Sequence, residues 1–97
     1  GQIANDTTQN IVGQTREVLG MVDALLQEAG TDKSHILMAH IYLSNMLDYD
    51  GMNEAWDEWV KDIKGHAPPR ATVQSPLAGS EFLVEIVVTA AVGATTK

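Results

Sequence analysis

Pro68-Pro69-Arg70-Ala71-Thr72-Val73-Gln74 and Phe82-Leu83-Val84-Glu85-Ile86-Val87-Val88 decide how this chain is read. Each is a short run rich in β-branched residues, and the stretch between them, Ser75 to Glu81, carries Pro76 and Gly79, residues that punctuate turns. The spacing predicts two strands joined as a hairpin. Centred on Leu77 and Ala78, that hairpin sets Gln74 opposite Glu81, Val73 opposite Phe82 and Arg70 opposite Glu85. Facing residues of an antiparallel pair have Cβ atoms roughly 5 Å apart, so a guanidinium and a carboxylate share one patch beside Thr72. A slip of one residue would separate them onto opposite faces. One face of the hairpin reads Ala71, Val73, Phe82, Val84, Ile86 and Val88. The other reads Arg70, Thr72, Gln74, Leu83, Glu85, Val87 and Thr89. Glu85 is the only charged residue between Phe82 and Val92. A carboxylate there is costly to bury unless paired, so either that face is wet or the position has a purpose.

The 97 residues make one domain, 1–97, with a limited core. Six Lys and Arg against 13 Asp and Glu leave a net charge of −7, which argues against a nucleic-acid surface. A local arginine can still attract a small anion. The absence of cysteine excludes disulfides and thiolate chemistry and fits an intracellular, cytoplasmic protein. No apolar run is long enough to span a bilayer.

Ile11, Thr15, Val18, Val22, Leu25 and Ala29, joined by Val12, Leu19 and Leu26, follow helical spacing. Asp6, Thr7 or Thr8 is expected to cap this helix, and Gly30 sits where a C′ glycine belongs. Gly13 and Gly20 are read as ordinary packing, or as allowing a close approach to a sheet. Ile36 to Leu43 is a strand, with Leu37, Ala39, Ile41 and Leu43 on one face and Ile36, Met38, His40 and Tyr42 on the other. Met52, Ala55, Trp56, Trp59, Val60 and Ile63 form the stripe of a second helix, with Glu54, Asp57, Glu58 and Lys61 on its wet side. Both tryptophans are assigned to core or interface. His35 and His40 make a poor metal pair, His66 is a minor candidate for a pocket wall, and residues 93–97 read as a frayed tail. The predicted fold is α+β, two helices on one face of a mixed sheet. The other face is too apolar to leave in water, and a second copy of the chain is the expected cover.

The motifs resemble those of the RidA (YjgF/YER057c/UK114) family, small trimeric proteins whose best-known members hydrolyse reactive enamines and imines. The carriers are Gly1-Gln2, Gln14-Thr15-Arg16, Met52-Asn53-Glu54-Ala55-Trp56, and Pro68-Pro69-Arg70-Ala71-Thr72-Val73 followed by Glu85 in Val84-Glu85-Ile86. The resemblance implies a homotrimer with sites between subunits and no cofactor or metal. It implies that Arg70 holds a substrate carboxylate, that Glu85 positions or activates water, and that Asn53, Thr72 and Gly1 line the pocket. Thr72 stands where many relatives have cysteine. The tryptophans and Gly65-His66-Ala67-Pro68 look more like a less characterised branch. Family members begin with further strands before the Gly-Gln motif, so the sequence is expected to be N-terminally incomplete by roughly two strands. The pocket tyrosine those strands carry has no counterpart here.

The implied chemistry is hydrolysis of a 2-imino acid, such as 2-iminopropionate formed from 2-aminoacrylate, to a 2-oxo acid and ammonia. Two other readings stand beside it. The first is a non-catalytic trimer that binds small carboxylates as a sensor or regulator. The second is the endoribonuclease or translation inhibitor for which some relatives are named; the acidic charge and the lack of a basic patch weigh against it.

Overall fold

The computed structural model describes residues 1–65 and 67–92; the expectations placed on His66 and on a tail at 93–97 fall outside the described residues. Its elements are β1 (Gln2–Ile3), α1 (Ile11–Glu28), β2 (Ile36–Leu43), α2 (Tyr49–Val60), β3 (Arg70–Gln74) and β4 (Val84–Ala90), with 3-10 turns at Lys33–His35 and Met46–Asp48. Two helices lie on one face of a mixed four-stranded sheet, as the sequence predicts. No helix among the described residues is long and apolar enough to cross a membrane.

The cap of α1 is Asn10, not Asp6, Thr7 or Thr8. Its side chain accepts from the Gly13 N–H at 2.9 Å, because the cap must directly precede the first helical residue, Ile11. Asp6 instead accepts from the backbone and hydroxyl of Thr8. The helix ends as expected at Gly30, whose φ of +82° lets its N–H reach Gln27 O while Thr31 N–H reaches Leu26 O. Gly13 and Gly20 approach no sheet: a side chain at Gly13 would meet Gln9, and one at Gly20 would meet open space. The close approach is at Gly51, where a Cβ would collide with Ile11 and push the two helices apart.

The predicted hairpin does not form. The strand order is β1-β4-β2-β3, and β2 lies between the two strands expected to pair. β2 pairs antiparallel with β4 and parallel with β3. Its eight residues are the longest apolar strand available, and helix α2 carries the chain back over the sheet in a βαβ crossover that makes β3 parallel to it. The Ser75–Leu83 connection then passes the end of β2, with Ser75 N–H bonding Leu43 O and Ser44 N–H bonding Leu83 O. Its turn residues bend a crossing loop, and a tight hairpin turn is absent.

Register sorts the faces. Ala39 and Ile41 stand opposite Val88 and Ile86 on β4, and Leu43 opposite Val84. Ala39, Ile41, Leu43, Val84 and Ile86 pack with Val18, Leu19, Met52 and Trp56 to form the core. Leu37 departs from the expected alternation. Ile36 pairs with Ala90 and Met38 with Thr89, which leaves Leu37 as the extra residue of a β-bulge, 60% exposed, and turns Ile36 onto the helices.

Among the described residues two polar side chains, Gln14 and Thr15, are fully buried; Thr15 Oγ1 donates back to Ile11 O at 2.7 Å, and Gln14 reaches the crossing loop. Gln14 Oε1 accepts from Leu83 N–H at 2.9 Å, and its amide nitrogen donates to the carbonyls of Glu81, Gln9 and Thr7 at 3.1 to 3.5 Å. It pins the crossing loop to the start of α1. Gln14→Leu leaves those groups without their partner and is expected to cost about 1–3 kcal/mol, read as a lower urea midpoint at unchanged m. A midpoint equal to wild type would show that the loop is held by other contacts.

Candidate functional site

Pro68 and Pro69 cannot extend α2, and their restricted backbone favours extended structure. Pro69 O accepts from Ala39 N–H at 2.9 Å, which starts the parallel ladder. Arg70, the first residue of β3, is aligned with Ala39, while Thr72 and Gln74 are aligned with Ile41 and Leu43. All three therefore sit on the helix side of the sheet.

From there the guanidinium reaches onto α2. Nη2 donates to Asn53 Oδ1 in a short contact and to the Tyr49 hydroxyl at 3.3 Å, and Nη1 approaches Met52 Sδ at 3.5 Å. The guanidinium carbon lies 5.2 Å from the Trp56 ring centroid and 5.8 Å from that of Tyr49, within cation–π range. Tyr49, Met52, Asn53 and Trp56 recur at i, i+3, i+4 and i+7, one face of a helix. Asn53 is thus a direct partner of Arg70. Trp56 serves in the core, where it is 3% exposed, and also as a wall for the cation. Trp59, by contrast, ties the helices together through its indole N–H to Asp23 Oδ2 at 3.0 Å. Thr72, on the same side of β3 as Arg70, has a buried hydroxyl without a partner, the only such side-chain atom among the described residues. A buried hydroxyl left unsatisfied costs about 1–3 kcal/mol.

Glu85 lies elsewhere. It is aligned with Tyr42 on β2 and Ile3 on β1, on the sheet face turned away from the helices. Its Oε2 is 4.0 Å from the Gly1 nitrogen, and a Cβ at Gly1 would overlap the carboxylate. Only glycine leaves that carboxylate its place. Arg70 and Glu85 are therefore not neighbours: the five candidates divide into Arg70, Asn53 and Thr72 on one side and Gly1 and Glu85 on the other, with β2 between them. Neighbouring strands are about 4.8 Å apart, so two strand spacings and the thickness of the sheet separate the two charges within one chain.

Other charges play supporting parts. Hydrogen bonds from Thr8, Ser34 and Lys33 hold Asp6, Asp32 and Asp62, respectively, below the usual carboxylate range. None of the three bonds to Arg70 or Glu85. Among the described residues no group of His, Asp and Glu is placed to hold a metal ion. Tyr49 and Met52 are not among the candidates that sequence reasoning yields, although their helical spacing from Asn53 is visible there.

The model of the family described as Endoribonuclease L-PSP matches residues 1–92. The chain belongs to that family. This is the YjgF/RidA grouping that the motifs resemble. A RutC family protein of Haemophilus ducreyi is 49% identical over 92 residues, covering 95% of this chain and 77% of the relative. The RutC family protein YoaB of Escherichia coli is 47% identical over 79 residues, covering 81% and 68%. A crystal structure of a YjgF family member from Neisseria meningitidis superposes with a TM-score of 0.90 at 41% identity, covering 98% of this chain and 77% of that one. Membership of the L-PSP family accounts for the shared sheet and helices. The names of these relatives specify no substrate.

Proposed function

We propose that this L-PSP family protein is a cytoplasmic imine deaminase that hydrolyses 2-imino acids to 2-oxo acids and ammonia, at sites formed between the subunits of a homotrimer. The observation that carries this reading is the placement of a fork-shaped cation and a carboxylate on opposite faces of one sheet. Neither half is a hydrolytic site alone, and two copies can bring one half of each together. The apolar character of the outer face, with Val73 48% exposed on β3, supports burial against another copy.

In this scheme Arg70 binds the substrate carboxylate. Trp56 behind it and Asn53 beside it fix the plane of the guanidinium, so an incoming carboxylate is oriented as well as attracted. The Thr72 hydroxyl supplies the next polar contact along the strand. Glu85, from the neighbouring copy, takes a proton from water as the water oxygen adds to the C=N carbon. That proton passes to nitrogen to give a carbinolamine. The hydroxyl proton then moves through Glu85 to the amine as C=O forms, the C–N bond breaks, and ammonia leaves behind the 2-oxo acid. No redox partner is needed. General acid–base assistance of this kind is worth about 10²–10⁴-fold, sufficient for a substrate that already hydrolyses unaided.

The test is a coupled assay on the full-length protein, in which an enzyme generates 2-iminopropionate and its decay is followed by absorbance or semicarbazide trapping. Faster decay supports the deaminase. Unchanged decay with saturable 2-oxo acid binding would assign the same site to a carboxylate sensor.

A further inference from the structure

An arginine offers a carboxylate two edges for parallel hydrogen bonds, Nη1 with Nη2 and Nε with Nη2. Nη2 belongs to both. Its two hydrogens are accounted for by Asn53 Oδ1 and the Tyr49 hydroxyl. A carboxylate can therefore be gripped on either edge only when one of these partners yields. The tyrosine bond is long, at 3.3 Å, which makes the phenol the partner that yields. A phenol that accepts from Arg70 also keeps its own hydrogen, and the Tyr49 hydroxyl donates to no acceptor among the described residues.

We propose that Tyr49 is a ligand-binding residue, whose hydroxyl releases Arg70 Nη2 to an incoming carboxylate and turns its own O–H onto that carboxylate. The inference rests on the carboxylate-binding role given to Arg70 above. The exchange replaces a bond to a neutral acceptor by one to an ionised acceptor, roughly twice as strong, and adds a second donor. It requires only rotation about the phenol C–O bond, because the ring is held by the core cluster and by the guanidinium. Tyr49 then favours a carboxylate over a carboxamide, whose carbonyl is a weaker acceptor and whose NH₂ has no acceptor to meet on the arginine.

The experiment is calorimetric titration of the full-length protein with 2-oxobutanoate and with 2-oxobutanamide, for wild type, Tyr49→Phe and Arg70→Lys. Phenylalanine keeps the ring, so its melting temperature should match wild type. Its affinity for the acid should fall about tenfold, the scale of one charge-assisted hydrogen bond, while its affinity for the amide changes far less. Arg70→Lys should lose more. Equal or tighter acid binding by folded Tyr49→Phe, or an equal loss for acid and amide, overturns the role of Tyr49 and leaves that of Arg70 intact. Wild type that binds no acid, or Arg70→Lys that binds it normally, overturns both.

Discussion

Arg70→Lys in the full-length protein should lower kcat/KM for a 2-imino acid by about 10²–10³-fold, from the loss of two charge-assisted bonds. Lysine is the informative replacement because it keeps the positive charge and fills much of the space beside Met52 and Trp56. What it lacks is the planar fork. A single ammonium cannot keep its bond to Asn53 while presenting two parallel N–H groups to a carboxylate, as the guanidinium can once Tyr49 yields. The imine then binds with its plane unfixed, and the water held elsewhere no longer meets the C=N carbon in line. The coupled decay assay, with substrate varied, reads the loss. A rate within twofold of wild type would mean that charge alone suffices at this position, and the fork built by α2 would have no catalytic meaning.

Glu85→Gln should have a comparable effect on turnover and a different signature. Glutamine is nearly isosteric, so the packing against Gly1 and Tyr42 is retained, and only the capacity to accept a proton from water is lost. The expected result is a fall in kcat of about 10²–10³-fold with the calorimetric affinity for 2-oxobutanoate unchanged. An interaction made only in the transition state behaves in this way. If Glu85→Gln instead weakens binding and leaves kcat alone, the carboxylate shapes the pocket and some other group activates water.

The helices and the central strand are legible in the sequence because their apolar periods are long and unambiguous. The stripe from Ile11 to Leu26 and the two-sided run Ile36–Leu43 leave little choice of element. Sequence reasoning fails where the structure depends on what lies between chain neighbours. Two strand-like runs joined by Pro76 and Gly79 have the local marks of a hairpin, and nothing local reports that β2 inserts between them. That insertion moves Arg70 from the face of Glu85 to the face of the helices. The bulge at Leu37 is equally silent in the sequence, since Leu37 and Ile36 are both apolar. Family resemblance singles out Arg70, Glu85, Asn53, Thr72 and Gly1, and the folded chain divides them into two groups. Tyr49, Met52 and Trp56 become site residues only once β3 is known to lie against α2.

Intersubunit complementation tests that division, on which the proposed site depends, most directly. Arg70→Lys and Glu85→Gln chains with different tags are co-expressed at full length, and the mixed assemblies are isolated on both tags in turn. If each site joins Arg70 of one copy to Glu85 of the next around a closed ring of three, every mixed trimer contains one intact site. Activity should then return to about a third of wild type, although either parent alone is nearly inactive. Mixed assemblies no more active than their parents would place both residues of each working site in one chain, contrary to a site shared between subunits.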